Sequence, residues 1–243
     1  MHRFYIPGAR FAPGTPVELP EEEAHHALRV VRLREDDTVS LFDGMGANAT
    51  GLLRVTGKRS ASALIETVET EPVPPAEVFM APAWLHRDKP MEEMVRRGVE
   101  LGVAGFHFWL ARHSQRPLGD AERWLRLAVE SCKQCGRSRL PVITLHPSLE
   151  SLVASAGCPL IAAVPGGMAG AVALPAAPAR VALVTGPEGD FSTDELGLLD
   201  ASGAVRADLG RQILRTEAAS IALCTLVLGA YGMMGAQYTA VRE

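Results

Sequence analysis

Two rhythms of apolar and polar positions divide the chain. Up to about residue 70 the apolar residues come in short runs broken by turn residues. "TVSLFDG" ends on Asp-Gly, and "ATGLLRVTG" and "SALIETVE" follow it. This spacing predicts a small antiparallel barrel. One helix interrupts it, "PEEEAHHALRVVRLR", with acids in its first turn and arginines in its last, as the helix dipole prefers. The stretch "ETEPVPPAEV" is polar and proline-rich and reads as a linker.

Beyond Val78 strands and helices alternate. "EVFMAPAWL", "GFHFWLA", "PVITL", "PLIAAV" and "RVALVT" have the apolar character of buried strands. Between them "KPMEEMVRRGVELG", "DAERWLRLAVESCKQCG", "SLESLVASAG" and "TDELGLLDASG" repeat at helical spacing, and a long helix ends the chain. The alternation predicts an α/β domain with a mostly parallel sheet covered on both faces. The expected organisation is a barrel over 1–70, a linker over 71–78 and the α/β domain over 79–243.

Composition changes this picture little. The 243 residues are 47% hydrophobic and 21% charged, as in an ordinary soluble protein. The net charge of −4 excludes indiscriminate attraction to nucleic acid. Its distribution is uneven, however: from Trp84 to Leu145 eleven Lys/Arg face seven Asp/Glu. A basic region on an acidic protein suits a selected polyanion. "MHRFYIPGARF" lacks the apolar core of a signal peptide, so a cytoplasmic protein with reduced thiols is expected. Ala218 to Val241 carries no charge, but its glycines and polar residues point to a buried helix at a subunit interface rather than a membrane span.

Two loops carry the candidate chemistry. "GPEGDFSTDEL" leaves a buried strand through two glycines and enters a helix at Ser192, with Glu195 three residues on as a capping box. A strand, glycine loop and helix in this order bring backbone N–H groups close to a ligand. Neither G-x-G-x-x-G nor a P-loop is present. The second loop, "LGRQILRTEAAS", puts Arg211 and Arg215 before a helix that Thr216 can cap and whose first turn holds Glu217. A cation gains nothing at the positive end of a helix, so Arg215 is not there for helix stability.

Other polar clusters divide between chemistry and structure. Cys132 and Cys135 form C-x-x-C near a helix C-terminus with no second ligand pair, so packing outweighs zinc or redox chemistry and no metal is expected. His25 and His26 are adjacent on a helix and cannot readily share a metal. Lys133, Arg137 and Arg139 in "CKQCGRSRLP" either compensate the helix dipole or contact phosphate. Arg29, Arg32 and Arg34 are either a solvated face or an RNA contact.

"GPEGDFSTDE" followed by "LGRQILRTEAAS", with "HHALRVVRLREDDTVSLFDG", "VELGV" and "KQCGRSRLP" before them, resembles the RsmE family. These SPOUT-class enzymes use S-adenosylmethionine to methylate N3 of a uridine in 16S ribosomal RNA of the small subunit. The resemblance implies a PUA-like β-barrel followed by a SPOUT α/β trefoil-knot domain that pairs as a homodimer. It implies a cofactor site built from Val164, Pro165, Thr185, Gly186, Pro187, Glu188, Gly189, Leu209, Gly210, Ile213, Leu214, Thr216 and Ala218. Gly186 and Gly189 are expected to let the chain bend closely around the cofactor, with left-handed backbone at Gly189. Asp190 stands where the family usually has a glycine. Arg215 is expected to stabilise charge on the uracil, and Glu217 either to serve as base, directly or through water, or to hold the loop as a cap residue, with Arg29, Arg32, Arg34, Lys133, Arg137 and Arg139 contacting RNA. The competing expectation is a non-catalytic RNA-binding dimer that uses the barrel domain.

Overall fold

The alternating apolar positions of the N-terminal segment build one mixed sheet. Its strands are β1 (His2–Tyr5), β2 (Pro16–Glu18), β3 (Thr38–Phe42), β4 (Ala47–Val55) and β5 (Ala61–Thr70), in the order β1-β3-β4-β5-β2. β1 runs parallel to β3 and the remaining pairs are antiparallel. The computed structural model describes residues 1–114, 117–168 and 179–235. These residues form two units, Met1–Val73 with Ala128–Leu140, and Pro74–Leu127 with Pro141–Glu243.

In the first unit, Phe4, Val39, Leu41, Ala49, Leu53, Ala63 and Ile65 fill the core of the sheet. Helix α1 (Glu21–His25) places Ala24 on this core. It then widens into a π-helical turn, His26–Val31, which ends at a left-handed Arg32 with φ 64°. The wider turn and its exit let Leu28 and Leu33 both pack against the core. Only Arg29 therefore stands in the last helical turn, where three arginines were expected; Arg32 and Arg34 lie beyond it. All three are exposed.

Residues 128–140 were expected in the second domain, yet they belong to the first unit. Its physical cause is a set of polar ties. The Arg3 guanidinium donates to the carbonyls of Cys132 (3.0 Å), in the last turn of a helix, and Arg137 (2.8 Å), just beyond its end. It also donates to Ser138 Oγ at 2.6 Å and lies 4.5 Å from the centre of the Phe42 ring. The Glu71 carboxylate accepts from the Ser138 and Arg139 backbone N–H groups.

In the second unit, six parallel strands alternate with helices. They are β6 (Ala76–Pro82), β7 (Gly105–Trp109), β8 (Val142–His146), β9 (Leu160–Met168), β10 (Ala179–Thr185) and β11 (Val205–Ala207), in the order β11-β9-β10-β6-β7-β8. β6 begins inside the stretch expected to be a linker. The helices are α2 (Asp88–Leu101), α3 (Ala121–Cys135), which from Ala128 on belongs to the first unit, α4 (Leu149–Ala156), α5 (Thr193–Ala201) and α6 (Thr216–Ala230). One face of the sheet, with Ala81, Trp109, Ala162 and Val184, packs with Leu149 and Leu152 of α4 and Leu199 of α5. Met80 and Phe106 point to the opposite face, where α2 comes so close that a Cβ on Gly98 would fall 2.6 Å from the Phe106 ring. α6 packs against α2 and across β6, β9 and β10.

The expected long final helix is shorter than its uncharged stretch. α6 ends at Ala230 in a turn through Gly232, which has φ 68°, and residues 236–243 lie outside the described residues. No helix among the described residues is long and apolar enough to cross a membrane.

Candidate functional site

In an open parallel sheet, ligands bind beyond the carboxyl ends of the strands where the strand order reverses. Here β10 stands between β9 and β6, and residues of β9 together with the segments after β10 and β11 bound one cleft. It holds about 630 Å³ of empty space, which includes its open mouth. Val164 and Pro165 line it from β9, Thr185, Gly186, Pro187 and Glu188 from the end of β10, and Leu209, Gly210, Ile213, Leu214 and Thr216 from the final loop and α6. Eleven of the thirteen expected cofactor residues thus meet in one place.

The other two do not. Ala218 lines neither cleft, and Ala219 takes its place, because residues three apart on a helix share a face and Thr216 already points inward. Gly189 lines a second cleft instead. Its backbone is not left-handed, and a Cβ there would meet nothing within 4 Å. The left-handed residue of this turn is Asp190, with φ 66°. Its N–H donates to the Pro187 carbonyl at 3.0 Å, and its Oδ1 accepts from the Phe191 N–H at 2.8 Å, the local hydrogen bonding that lets an aspartate adopt this conformation. Gly186 is needed for packing: a Cβ there would sit 3.1 Å from the Phe191 ring, which stacks on Trp109.

The loop after β10 is held at both ends. The Ser192–Glu195 capping box forms as expected. Glu195 is only 6% exposed, and its Oε1 also accepts from the Arg112 N–H at 3.0 Å. Arg112 pairs in turn with Asp194. At the other end the Thr216 hydroxyl donates to the Gly186 carbonyl at 2.8 Å. Thr216 is therefore not the cap of α6. Arg215 occupies that position with extended backbone, and its side chain makes no cap bond.

The second cleft adjoins the first and shares Pro187, Glu188, Asp190, Ile213, Leu214 and Thr216 with it. Arg215 and Glu217 both line it, as do His86, Arg87 and His113. Arg215, His86, Arg87 and His113 are exposed, and Glu217 is half-buried. No spacing along the chain marks His86, Arg87 and His113, since they come from the loops after β6 and β7. Asp208 and Gln212 in the first cleft were equally missed, although "ADLG" after a short strand marked the place. Among the described residues no group of three or more His, Cys, Asp or Glu could hold a metal.

The six basic residues expected to contact RNA lie in the first unit and fall into two classes. Arg29, Arg32 and Arg34 are exposed. Lys133 pairs with Glu23 at 2.6 Å and Glu130 at 2.9 Å. Burial alone would lower its pKa, but these carboxylates raise it above the ordinary lysine value. The Arg139 guanidinium donates to the Met45 carbonyl at 2.7 Å and the Glu71 carbonyl at 3.1 Å. Burial lowers the pKa of half-buried Arg137. In the C-x-x-C pair, Cys132 is buried, its thiol pushed up to about 12 mainly by burial, while Cys135 is exposed. That is the chemistry of packing, not of a reactive thiolate.

Known proteins carry the same architecture. An RNA methyltransferase domain family matches residues 72–228, and an RNA methyltransferase PUA domain family matches residues 19–66. The ribosomal RNA small subunit methyltransferase E of Synechocystis sp. is 30% identical over 212 residues, covering 84% of this chain and 69% of that protein. Its namesake in Bacillus subtilis is 29% identical, covering 82% and 84%. The structure of the Neisseria gonorrhoeae enzyme of this name, bound to S-adenosyl methionine, superposes with a TM-score of 0.83 at 27% identity over 95% of this chain and 98% of that one. A Legionella pneumophila methyltransferase with bound SAM gives 0.84 at 27% identity, covering 94% and 97%. With sheet order, cleft and sequence in agreement, the chain belongs to the ribosomal RNA small subunit methyltransferase E family of RNA methyltransferases.

Proposed function

We propose that this protein methylates N3 of a specific uridine in 16S ribosomal RNA of the small subunit, using S-adenosylmethionine held in the first cleft. The observation that carries this reading is the pairing of two clefts across one wall, the second of which holds Arg215 and Glu217. The first cleft fits the cofactor. Leu209, Ile213 and Leu214 give apolar surface for a purine, backbone groups of the lining segments give polar partners, and among the described residues no Lys, Arg or His lines it to repel a cation. When bound, S-adenosylmethionine supplies an electrophilic methyl group on a positively charged sulfur.

The chain's own residues supply the rest. Uridine N3 is a weak acid, so a base must take its proton while charge spreads onto O2 and O4. Arg215 in the second cleft faces that task with a planar, permanently charged fork. Glu217 is the assigned base, with His86 and His113 in the same cleft. The N-terminal unit is a PUA-like barrel whose RNA contact we assign to Arg29, Arg32 and Arg34. Lys133, Arg137 and Arg139 serve chiefly to build that unit.

The second unit is read as a SPOUT trefoil-knot domain that pairs through α6. That helix carries one charge, Glu217, and leaves Leu226 62% exposed beside exposed Thr225, Gly229 and Ala230. The protein works in the cytoplasm, where its substrate is made, as a homodimer without metal. Nucleoside analysis of ribosomal RNA from cells lacking the protein tests this reading: 3-methyluridine should vanish from the small-subunit RNA and return on re-expression.

A further inference from the structure

We propose that Asp190 makes the cofactor cleft distinguish the sulfonium ligand from its neutral thioether product by charge. The inference rests on the cofactor reading above. If the methyl donor occupies the first cleft and the acceptor base the second, the line of transfer crosses the six residues that the clefts share. The reacting sulfur must therefore face that wall. Of the six, only Glu188 and Asp190 are ionisable, and both are acids. Asp208 adds a third carboxylate inside the first cleft, whose lining among the described residues contains no Lys, Arg or His.

Asp190 is the better placed of the two wall acids. Its Oδ1 is fixed by the Phe191 N–H, and Phe191 is itself stacked on Trp109, so the carboxylate is held before any ligand arrives. Both carboxylates are exposed, but Glu188 stands on a longer side chain. The cations near the wall, Arg215 and Arg87, line the second cleft and not the first. S-adenosylmethionine carries one positive charge more than S-adenosylhomocysteine, and that charge sits on the sulfur. A fixed carboxylate facing the sulfur attracts the first ligand and is nearly indifferent to the second. Product then leaves a site that still retains substrate, and product inhibition is weak.

Calorimetric titration of the full chain with each ligand separately tests this. Asp190→Asn keeps a residue that tolerates left-handed backbone and can still accept from Phe191, but removes the charge. Asp190→Gly removes charge and side chain together while suiting the same φ. Both should weaken S-adenosylmethionine on the order of threefold to tenfold, the scale of one unit charge acting through partly screened solvent, and leave S-adenosylhomocysteine within about twofold. Added salt should shrink the wild-type preference towards that of the variants. Equal weakening of both ligands would show that Asp190 only shapes the loop and would overturn the proposal, as would no change in either. Failure of the wild-type chain to bind either ligand is a different result, and it would overturn the cofactor reading itself.

Discussion

The hydroxyls of Thr185 and Ser220 meet 2.6 Å apart, and the two residues are only 1% and 2% exposed. One ends the strand that feeds the glycine loop, and the other lies in the second turn of the helix that follows Arg215. With the Thr216 bond to the Gly186 carbonyl, this pair ties the glycine loop after β10 to the helix that begins beside Arg215 and carries Glu217. Ser220→Ala would strand the Thr185 hydroxyl without its partner, so stability should fall by about 1–3 kcal/mol. Urea unfolding measures the loss, and Ser220→Thr should recover part of it. An unchanged midpoint for Ser220→Ala would show that the pair contributes nothing.

Arg215 should act on the transition state rather than on cofactor binding. Arg215→Ala should bind S-adenosylmethionine within a few-fold of wild type but transfer methyl about 10²–10³ times more slowly, as for loss of one oxyanion donor. Arg215→Lys should restore only part, because a point charge lacks the planar fork. Single-turnover transfer at saturating RNA separates these effects. A near-normal rate with weaker RNA affinity would make Arg215 a binding residue.

The two glycine loops should respond differently to substitution. Gly210 has φ 114°, a conformation that a β-branched residue resists, and it lines the first cleft. Gly210→Val should weaken cofactor affinity by about tenfold or more, the equivalent of roughly 1–3 kcal/mol of backbone strain. Gly189→Ala should change it little, since the added Cβ meets nothing and the backbone is not left-handed. Calorimetry on both variants checks the contrast, and the reverse order would contradict the loop geometry.

Acid should destabilise the second unit through a histidine pair. His107 Nδ1 lies 2.9 Å from His146 Nε2. Burial first, then His146 and Arg180, push the His107 imidazole down to about 4. The unfolded chain takes up that proton near pH 6.5, whereas the folded chain resists it until about pH 4. Stability from this group is therefore fully present above pH 6.5 and falls as the pH drops towards 4. Thermal unfolding across this range should show the fall, and His107→Gln should flatten it. A parallel curve for the variant would place the effect elsewhere.

The basic residues of the first unit should separate by function. Arg29→Ala with Arg32→Ala should flatten the salt dependence of RNA binding by roughly one to two units while leaving unfolding unchanged. Arg139→Ala should instead lower the unfolding midpoint, since it leaves the Met45 and Glu71 carbonyls without their donor. Equal salt slopes for wild type and the double variant would remove Arg29 and Arg32 from the RNA surface.

Much of this was legible in the sequence where local rules act. The alternation of β6 to β10 with their helices and the Ser192–Glu195 capping box follow from period and cap, and the family resemblance implied that the two glycine loops meet. What escaped depends on distant partners. Nothing near Lys133 or Arg139 announces that Glu23, Glu71 and Met45 will claim them. The π-helical turn at His26–Val31 is likewise set by the need of Leu28 and Leu33 to reach one core. The left-handed backbone went to Asp190 rather than Gly189 because an aspartate can pair with the next N–H. His86, Arg87 and His113 come together only once β6 and β7 lie side by side.

The central claim is transfer of a methyl group from S-adenosylmethionine to uridine N3, and one measurement tests it directly. Small subunits from cells lacking the protein are incubated with the purified chain and methyl-labelled S-adenosylmethionine, and the RNA is digested and resolved by mass spectrometry. The account predicts label in 3-methyluridine at a single position, present with the wild-type chain and greatly slowed with Arg215→Ala. Label in another nucleoside, or none with a chain that binds the cofactor, would contradict it.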